Sequence, residues 1–315
     1  MATEKTLTPA RLAEIFAARP RDCHKGMFGT VGLLGGCVAY SGAAKLANLS
    51  CASLRAGCGI ARLAVPESIV PGVLPYLLES TLCPMPAGAD GALRYDEGAA
   101  EDFTRGLRAA GVGMGWDTGK CDDAYRAYLS HLLRKEGLCL LIDAGGITAL
   151  SRDLRLLPDA RASVLLTPHP GEFSRLTGLP IERIMAEPVP LAEAFAMRYG
   201  CTVLLKGHRT VVTDGRETYT VDRGGAGMAT AGSGDVLSGI LTGMLGYLPL
   251  TPETAAAGAT LAGIAGEIAE ARMTDIAMIA SDTVAALPHA ILRIRQGNLS
   301  LPNDPMKAAT PTVQA

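Results

Sequence analysis

The sequence is poor in charged and in aromatic side chains, and both shortages exclude classes of protein. Charged residues make up 19% of the chain, and the formal net charge is -2. Without a basic excess there is no broad surface for a nucleic-acid backbone, so we expect no nucleic-acid partner. Aromatic residues are only 4%, whereas there are 37 glycines. This composition suits tight turns between strands and helices better than an all-β sandwich.

Paired cysteines and long apolar runs are also missing. The eight cysteines contain no C-x-x-C pair and have no accompanying histidine cluster: Cys23, Cys37, Cys51, Cys58, Cys83, Cys121, Cys139 and Cys201. We therefore expect neither a zinc site nor a disulfide framework, and scattered thiols indicate the cytoplasm. No apolar run follows the first residues, so no signal peptide is expected. The most apolar segments, such as 255–269, are too short or too rich in glycine to span a membrane.

Short apolar segments alternate with helical patterns along the chain. The predicted strands are 30–36, 60–65, 107–112, 137–144, 163–166 and 202–205. The predicted helices are 8–18, 41–57, 123–135, 191–199, 235–246, 253–272 and 282–296. A hairpin is predicted over 211–221, around Asp214-Gly215. Such alternation predicts a mostly parallel sheet with helices on both faces. Because no linker or repeat is visible, we expect one domain.

Polar side chains follow several of the predicted strands. Asp143, His169 and Lys206 each come at the end of an apolar segment. In an open parallel sheet these positions meet at the carboxyl edge, where such sheets bind their ligands. The sequence therefore predicts a cleft at that edge.

The most informative stretch is 224–235, GGAGMATAGSGD, which precedes an apolar helical pattern. A glycine-rich turn that opens a helix exposes backbone N–H groups at the positive end of the helix dipole, which makes an anion site. Gly232, Ser233 and Gly234 are the candidate phosphate contacts. Asp235 falls in the first helical turn, where it is either a charge that complements the dipole or a general base beside a bound phosphate.

Four further motifs have both a structural and a functional interpretation. Lys206-Gly207-His208-Arg209-Thr210 is a polar loop or a nucleotide contact. His169 is held between two prolines in TPHPGE, and Glu172 of that motif either caps a helix starting near Phe173 or supports a magnesium ion through water. His24-Lys25-Gly26 reads alone as a solvated basic loop, and Gly113-Met114-Gly115 reads as a tight turn. No Walker P-loop, nucleophile elbow or dinucleotide fingerprint is present.

Taken together and in this order, these motifs resemble the ADP/ATP-dependent NAD(P)H-hydrate dehydratases over roughly residues 8–296. The resemblance is carried by HKGxxG at 24–29, SGAA at 41–44, GxG at 113–115, TPHPGE at 167–172, KGxxT at 206–210 and GMATxGxGD at 227–235. It implies a ribokinase-like α/β/α sandwich with a mostly parallel central sheet. It also implies the dehydratase unit alone without a fused epimerase. We expect this single domain to cover 1–297, and three prolines after Asn298 predict a loose tail over 298–315.

The resemblance implies dehydration of the S-epimer of hydrated NADH or NADPH, with ADP or ATP as phosphoryl donor and Mg²⁺ as cofactor. Asp235 is the implied base. The implied nucleotide contacts are Lys206, Gly207, His208, Arg209, Thr210, Gly232, Ser233 and Gly234. The implied substrate contacts are His24, Lys25, Ala43, Gly113, Gly115, His169 and Asp235, with Glu172 near the metal. A homotetramer is implied, as is functional pairing with a separate epimerase.

The chain departs from the pattern at Cys23, where a Thr often stands, at Met114, where a Pro is common, and at Ala231, where a Gly is usual. None of these changes removes a side chain that the chemistry needs. A small-molecule kinase of the same fold, of the thiazole or hydroxymethylpyrimidine type, is the alternative. A nucleotide sensor without activity is a third hypothesis, which the presence of Asp235 disfavours.

Overall fold

The computed structural model describes residues 4–52, 55–119 and 122–299, without the side chains of 50–52. Ten strands form one sheet: β1 (Glu4–Lys5), β2 (Thr30–Leu34), β3 (Ile60–Pro66), β4 (Thr81–Met85), β5 (Ala109–Val112), β6 (Cys139–Ile142), β7 (Ser163–Leu166), β8 (Thr202–Leu205), β9 (Thr210–Thr213) and β10 (Thr218–Val221). Their order is β1-β10-β9-β8-β7-β6-β5-β2-β3-β4. In this sheet β9 runs antiparallel to both of its neighbours, β8 and β10, and the other described pairs are parallel. The predicted mostly parallel sheet is confirmed.

Twelve α-helices connect or flank these strands in the described chain. They are α1 (Pro9–Ile15), α2 (Ser41–Ala52), α3 (Val70–Val73), α4 (Glu97–Thr104), α5 (Asp122–Leu133), α6 (Ala144–Leu150), α7 (Pro170–Thr177), α8 (Ile181–Ala186), α9 (Pro188–Tyr199), α10 (Ser233–Leu245), α11 (Pro252–Met273) and α12 (Ala280–Arg295). None of these helices is long and apolar enough to cross a membrane.

Alternate residues of each central strand enter opposite cores, because successive side chains of a strand point to opposite faces. In β6, Leu140 and Ile142 join the core formed with α4–α9, whereas Leu141 joins the core formed with α2, α10 and α11. A third cluster packs α1 and α12 against the outside of α10 and α11. The predicted α/β/α sandwich is therefore confirmed, with α1 and α12 as an additional outer layer.

The sequence patterns predicted the central strands and helices more completely than the peripheral ones. Thr8 caps α1 by accepting a hydrogen bond from the Arg11 N–H, as Thr-Pro at 8–9 predicts. The patterns did not indicate the edge strands β1 and β4 or the short helices α3, α4, α6 and α8. The helix α2 was predicted to run to Gly57, but it is described only as far as Ala52. Gly57 itself has a φ of +98°.

Some predictions fall outside the described chain. Cys121 and residues 300–315 of the predicted tail lie there, and so does the side chain of Cys51. The described chain has free thiols at Cys23, Cys37, Cys83, Cys139 and Cys201. The division into a domain at 1–297 and a tail at 298–315 stays a prediction.

Leu204 provides a test of the packing. It is fully buried in β8, whereas Leu78 is 88% exposed. We expect Leu204→Ala to lower the free energy of unfolding by about 2–5 kcal/mol, because it removes buried methyl groups and leaves a cavity. Leu78→Ala, the matched control, should change it by less than about 0.5 kcal/mol. Urea unfolding of both variants measures the difference, and equal losses would contradict the described core.

Candidate active site

Three charged side chains meet where β6, β7 and β8 end. These strands are parallel neighbours, so the residues that follow them lie at one edge of the sheet. The Lys206 Nζ lies 2.8 Å from the Asp143 Oδ1 and 3.8 Å from the Glu172 Oε2. Asp143 is 2% exposed and Glu172 is also buried. The predicted gathering of strand-end polar residues is thus present in the structure.

The helix α10 begins directly over this cluster. The Ser238 hydroxyl donates a hydrogen bond of 2.7 Å to the Asp143 Oδ2, which ties the first turns of α10 to the end of β6. A Cβ added at Gly234 would lie 3.6 Å from the Lys206 Nζ and 3.8 Å from the Asp143 Oδ2. Because Asp235 follows Gly234, its carboxylate belongs to the same electrostatic cluster as Asp143 and Lys206.

The environment of Asp235 favours its protonated form. Burial, and after it the like charge of Asp143, raise the pKa of Asp235 to about 7 against the opposing effect of the Lys206 ammonium. Burial also lowers the pKa of Lys206, but the carboxylates around it outweigh burial, so the net shift is upward and Lys206 stays a cation. A carboxylate with a pKa near neutrality is suited to general base catalysis.

The start of α10 has the geometry of an anion site. Gly232 is the N-cap residue, with a φ of +94°, and α10 continues for 13 residues. The first N–H groups of a helix have no acceptor within the helix, and the dipole makes this end positive. The buried Ser233 hydroxyl also has no hydrogen-bond partner among the described residues. These donors, with the Lys206 ammonium nearby, are suited to binding a phosphate group.

A cavity of ≈ 500 Å³ opens beside this helix start. It is bounded by the chain after β8, the loop before α10 and one face of α11. Its lining residues are Lys206, Gly207, His208, Thr210, Val221, Arg223, Gly224, Gly225, Ala226, Met228, Ala229, Ser233, Gly234, Leu237, Ala259, Ala262 and Gly263. Six of the eight predicted nucleotide contacts are therefore brought together around one cavity.

The other two predicted nucleotide contacts, Arg209 and Gly232, are not among the residues that line the cavity. The Arg209 Nη2 lies 2.7 Å from the Glu4 Oε2 and 3.0 Å from the Thr220 Oγ1, so its guanidinium is engaged at the β1 side of the sheet. A Cβ at Gly232 would lie 2.5 Å from the Leu46 Cδ1, so this residue packs against α2. Contact of Arg209 and Gly232 with the nucleotide therefore stays a prediction.

The departure at Ala231 has no conformational cost. Among the described residues, the non-glycine residues with positive φ are Ala144 and Thr274 alone. The positive φ of the turn is taken by Gly232 instead. Ala231 is exposed and needs no glycine.

Three of the predicted substrate contacts lie close together beyond the ends of β5 and β6. Gly113 has a φ of +108°, and a Cβ there would lie 2.0 Å from the Asp143 carbonyl oxygen. Gly115 has a φ of +73°, and its added Cβ would lie 3.0 Å from the Ala43 Cβ. The turn after β5 is therefore wedged between the start of α2 and the end of β6. Ala43, Gly113 and Gly115 thus lie at the same sheet edge as Asp143.

His169 and Glu172 form the start of α7. The Gly171 N–H donates to the His169 Nδ1 over 3.0 Å, and the His169 N–H donates to the Glu172 Oε2 over 2.9 Å. Glu172 therefore caps the helix, which was one of its two predicted roles, and that helix begins at Pro170 rather than near Phe173. No three His, Cys, Asp or Glu side chains of the described chain cluster as metal ligands. Glu172 as a metal-supporting residue stays a prediction.

His24 and Lys25 lie far from Asp235 within one chain, and their predicted contact with the substrate stays a prediction. They precede β2, so they lie at the amino edge of the sheet. The Lys25 carbonyl would be 1.8 Å from a Cβ at Gly59, which precedes β3 at that edge. The 13-residue helix α10 separates the two edges, a length of about 20 Å.

Asp143 and Ser238 belong to the site but were absent from the predicted contacts. Asp143 had a recognisable signal, a carboxylate at the end of an apolar strand, although its role needed the structure. Ser238 follows Asp235 by three residues and so shares its helix face. An isolated serine in an apolar helix has no distinguishing sequence pattern.

Comparison with known proteins agrees on one family. A model of the NAD(P)H-hydrate dehydratase family matches residues 31–289. A bifunctional NAD(P)H-hydrate repair enzyme of Moorella thermoacetica is 34% identical over 299 residues, which are 93% of this chain and 54% of that protein. The chain therefore spans about half the length of this relative. An ADP-dependent (S)-NAD(P)H-hydrate dehydratase of Neisseria meningitidis is 32% identical over 269 residues, 83% of this chain and 84% of that one.

A solved structure is also similar over nearly the whole chain. The ADP/ATP-dependent NAD(P)H-hydrate dehydratase of Bacillus subtilis, co-crystallised with ATP/Mg²⁺, superposes with a TM-score of 0.77 and 26% identity. The match covers 92% of this chain and 98% of that one. The ribokinase-like fold expected from the motifs is confirmed by this likeness.

The pKa of Asp235 can be tested without any ligand. We expect its carboxyl group to titrate near pH 7, measured by ¹³C NMR of the side-chain carboxyl. Asp143→Asn should lower that pKa because it removes a like charge, and Lys206→Met should raise it because it removes a cation. Shifts of the same sign in both variants, or a wild-type pKa near 4, would contradict the described electrostatics.

Proposed function

The chain belongs to the NAD(P)H-hydrate dehydratase family, and on this premise we propose that it dehydrates the S-epimer of hydrated NADH and NADPH with ADP or ATP as phosphoryl donor. The observation that supports this most directly is the position of Asp235, between a helix N-terminus suited to phosphate and a cleft at the carboxyl edge of the sheet. In this assignment the protein is a carbon–oxygen lyase that repairs a damaged cofactor.

The chemistry requires a poor leaving group to become a good one. Asp235 takes the proton of the C6 hydroxyl of the hydrated ring, and the oxygen attacks the terminal phosphorus of the nucleotide. The bond from that phosphorus to the bridging oxygen breaks, so ADP leaves as AMP and ATP leaves as ADP. The C6–O bond then breaks with departure of phosphate, and loss of a proton from the adjacent ring carbon restores the double bond.

The nucleotide occupies the cavity beside α10 in this proposal. Its terminal phosphate lies against the N–H groups of Ser233 and Gly234, which stabilise the charge that develops during transfer. The Lys206 ammonium faces the same phosphate, and the segment to Thr210 borders the nucleotide. Mg²⁺ would supply positive charge that offsets the charge of the phosphate groups. Glu172 is buried and already accepts a backbone hydrogen bond, so it fits an indirect contact through water.

The hydrated dinucleotide binds at the carboxyl edge of the sheet, against Ala43, Gly113 and Gly115, with His169 at the start of α7 nearby. These three small residues leave room for the nicotinamide end to approach Asp235. We further propose a cytoplasmic homotetramer that acts on the product of a separate epimerase. The fused arrangement of the Moorella relative supports that pairing, since it is named as a bifunctional repair enzyme.

The alternative, a thiazole or hydroxymethylpyrimidine kinase of this fold, is disfavoured. The same base and anion site serve phosphoryl transfer in both reactions, so the geometry alone does not separate them. The family model and the Neisseria relative, which is 32% identical, carry the dehydratase name. A stable phosphorylated product, in place of recovered NADH and inorganic phosphate, distinguishes a kinase from a dehydratase.

The decisive assay follows the recovery of NADH absorbance from hydrated NADH in the presence of Mg²⁺ and either ADP or ATP. We expect recovery with stoichiometric release of AMP or ADP and phosphate. Asp235→Asn should lower kcat by about 10³-fold or more, because the hydroxyl proton then has no acceptor. Wild-type protein that leaves the absorbance unchanged with both donors would contradict the proposal.

The pH dependence of the Tm shows whether Asp235→Asn folds like the wild type. The pKa of Asp235 is raised in the folded state, so the native protein binds this proton more tightly and loses stability as pH rises from about 4 to about 7. Asp235→Asn removes that loss. Its Tm should therefore exceed the wild-type Tm at pH 8 and the gain should shrink toward pH 4. A lower Tm at pH 8 would mean that lost activity reflects misfolding.

A further inference from the structure

The loop that forms one wall of the nucleotide cavity is fastened to α11 by two carboxylates. The Gly224 N–H donates to the Glu267 Oε1 and the Gly227 N–H donates to the Glu270 Oε2, each over 2.9 Å. Glu267 and Glu270 are three residues apart, so they lie on one face of the helix. We call residues 224–227 the glycine loop.

The packing between the glycine loop and α11 leaves no space for larger residues. A Cβ at Gly225 would lie 1.9 Å from the Glu270 Oε2, so this glycine makes room for the carboxylate. On the helix side, a Cβ at Gly263 would lie 2.6 Å from the Arg223 Cβ. Small residues on both partners therefore bring the loop into direct contact with the helix, and the carboxylates set its position along the helix.

The two carboxylates differ in their surroundings. Glu267 also forms an ion pair with Arg223, whose Nη2 donates in addition to the Leu299 carbonyl over 2.9 Å. The Glu270 contacts given above are to the loop backbone. Loss of the negative charge at Glu267 therefore removes an ion pair, whereas at Glu270 only an acceptor for an N–H group is needed.

The opposite side of the same loop borders the cavity. Arg223, Gly224 and Gly225 line it, and the chain continues through Met228 to Ser233 and Gly234 at the start of α10. Neither Glu267 nor Glu270 lines the cavity itself. A displacement of the glycine loop on α11 thus moves a wall of the nucleotide site without removing any group that touches the ligand.

We propose that Glu267 and Glu270 are positioning residues that hold the glycine loop in the form that receives the nucleotide co-substrate, and so determine nucleotide affinity. This inference rests on the proposed function only for the identity of the nucleotide. Because these carboxylates do not contact the reacting atoms, the affinity for the nucleotide depends on them and the rate of the transfer step does not.

The test compares Glu270→Ala and Glu270→Gln with Glu182→Ala, which removes an exposed glutamate from α8. Glu270→Ala should raise the KM for ADP, and the Kd of ADP measured by calorimetry, about tenfold, because the loop N–H loses its acceptor. Its kcat should stay within about threefold of wild type. Glu270→Gln should recover most of the affinity, because the amide oxygen still accepts, and Glu182→Ala should bind ADP like wild type.

Two further measurements separate positioning from a general loss of stability. Hydrogen exchange of the Gly227 amide should accelerate about tenfold in Glu270→Ala while amides of β6 keep their protection. Glu267→Gln should bind ADP more weakly than Glu270→Gln, because it also breaks the ion pair with Arg223. Wild-type ADP affinity in Glu270→Ala, or a Gln variant no better than Ala, would overturn the inference. Wild-type protein that binds ADP but does not restore NADH would instead contradict the proposed function.

Discussion

The contact between the Lys206 ammonium and the Asp143 carboxylate is the interaction on which the site depends. It joins the ends of β6 and β8 across β7, and the Ser238 hydroxyl extends it to α10. Removing both charges from water costs free energy that their attraction rarely exceeds, so such a pair is a weak source of stability. Its value here is geometric, since it places a fixed cation and a fixed carboxylate beneath the first turn of α10.

Burial is the main cause of the raised pKa of Asp235, and this arrangement adds to it. Asp143 raises that pKa further by its like charge, and Lys206 opposes the shift without cancelling it. A single lysine shared by several carboxylates does not neutralise them all. The site therefore retains a carboxylate that accepts a proton near neutral pH, at the cost of stability when it is ionised.

The sequence predicted the sheet and much of the site for physical reasons that can be identified. Apolar strands covered on both faces leave a clear pattern, and residues that follow parallel strands must share an edge, so Asp143, His169 and Lys206 were predictable neighbours. The same rule shows why His24 and Lys25 could not join them, because they precede a strand. No sequence pattern could predict the orientation of the Arg209 side chain, since that orientation depends on Glu4, about two hundred positions away in sequence.

The glycines of the stretch before α10 show most clearly where such inference ends. The sequence suggested that all of them admit a ligand. In the structure, Gly234 faces the charged cluster, Gly232 and Gly227 make room for Leu46 and Met278, and Gly225 makes room for a carboxylate of α11. One composition thus serves a phosphate site and its support, because a loop held close to a helix on one side can present backbone N–H groups on the other. Glycine is needed on both sides of the loop. Only the structure shows which glycine serves the phosphate site and which serves its support.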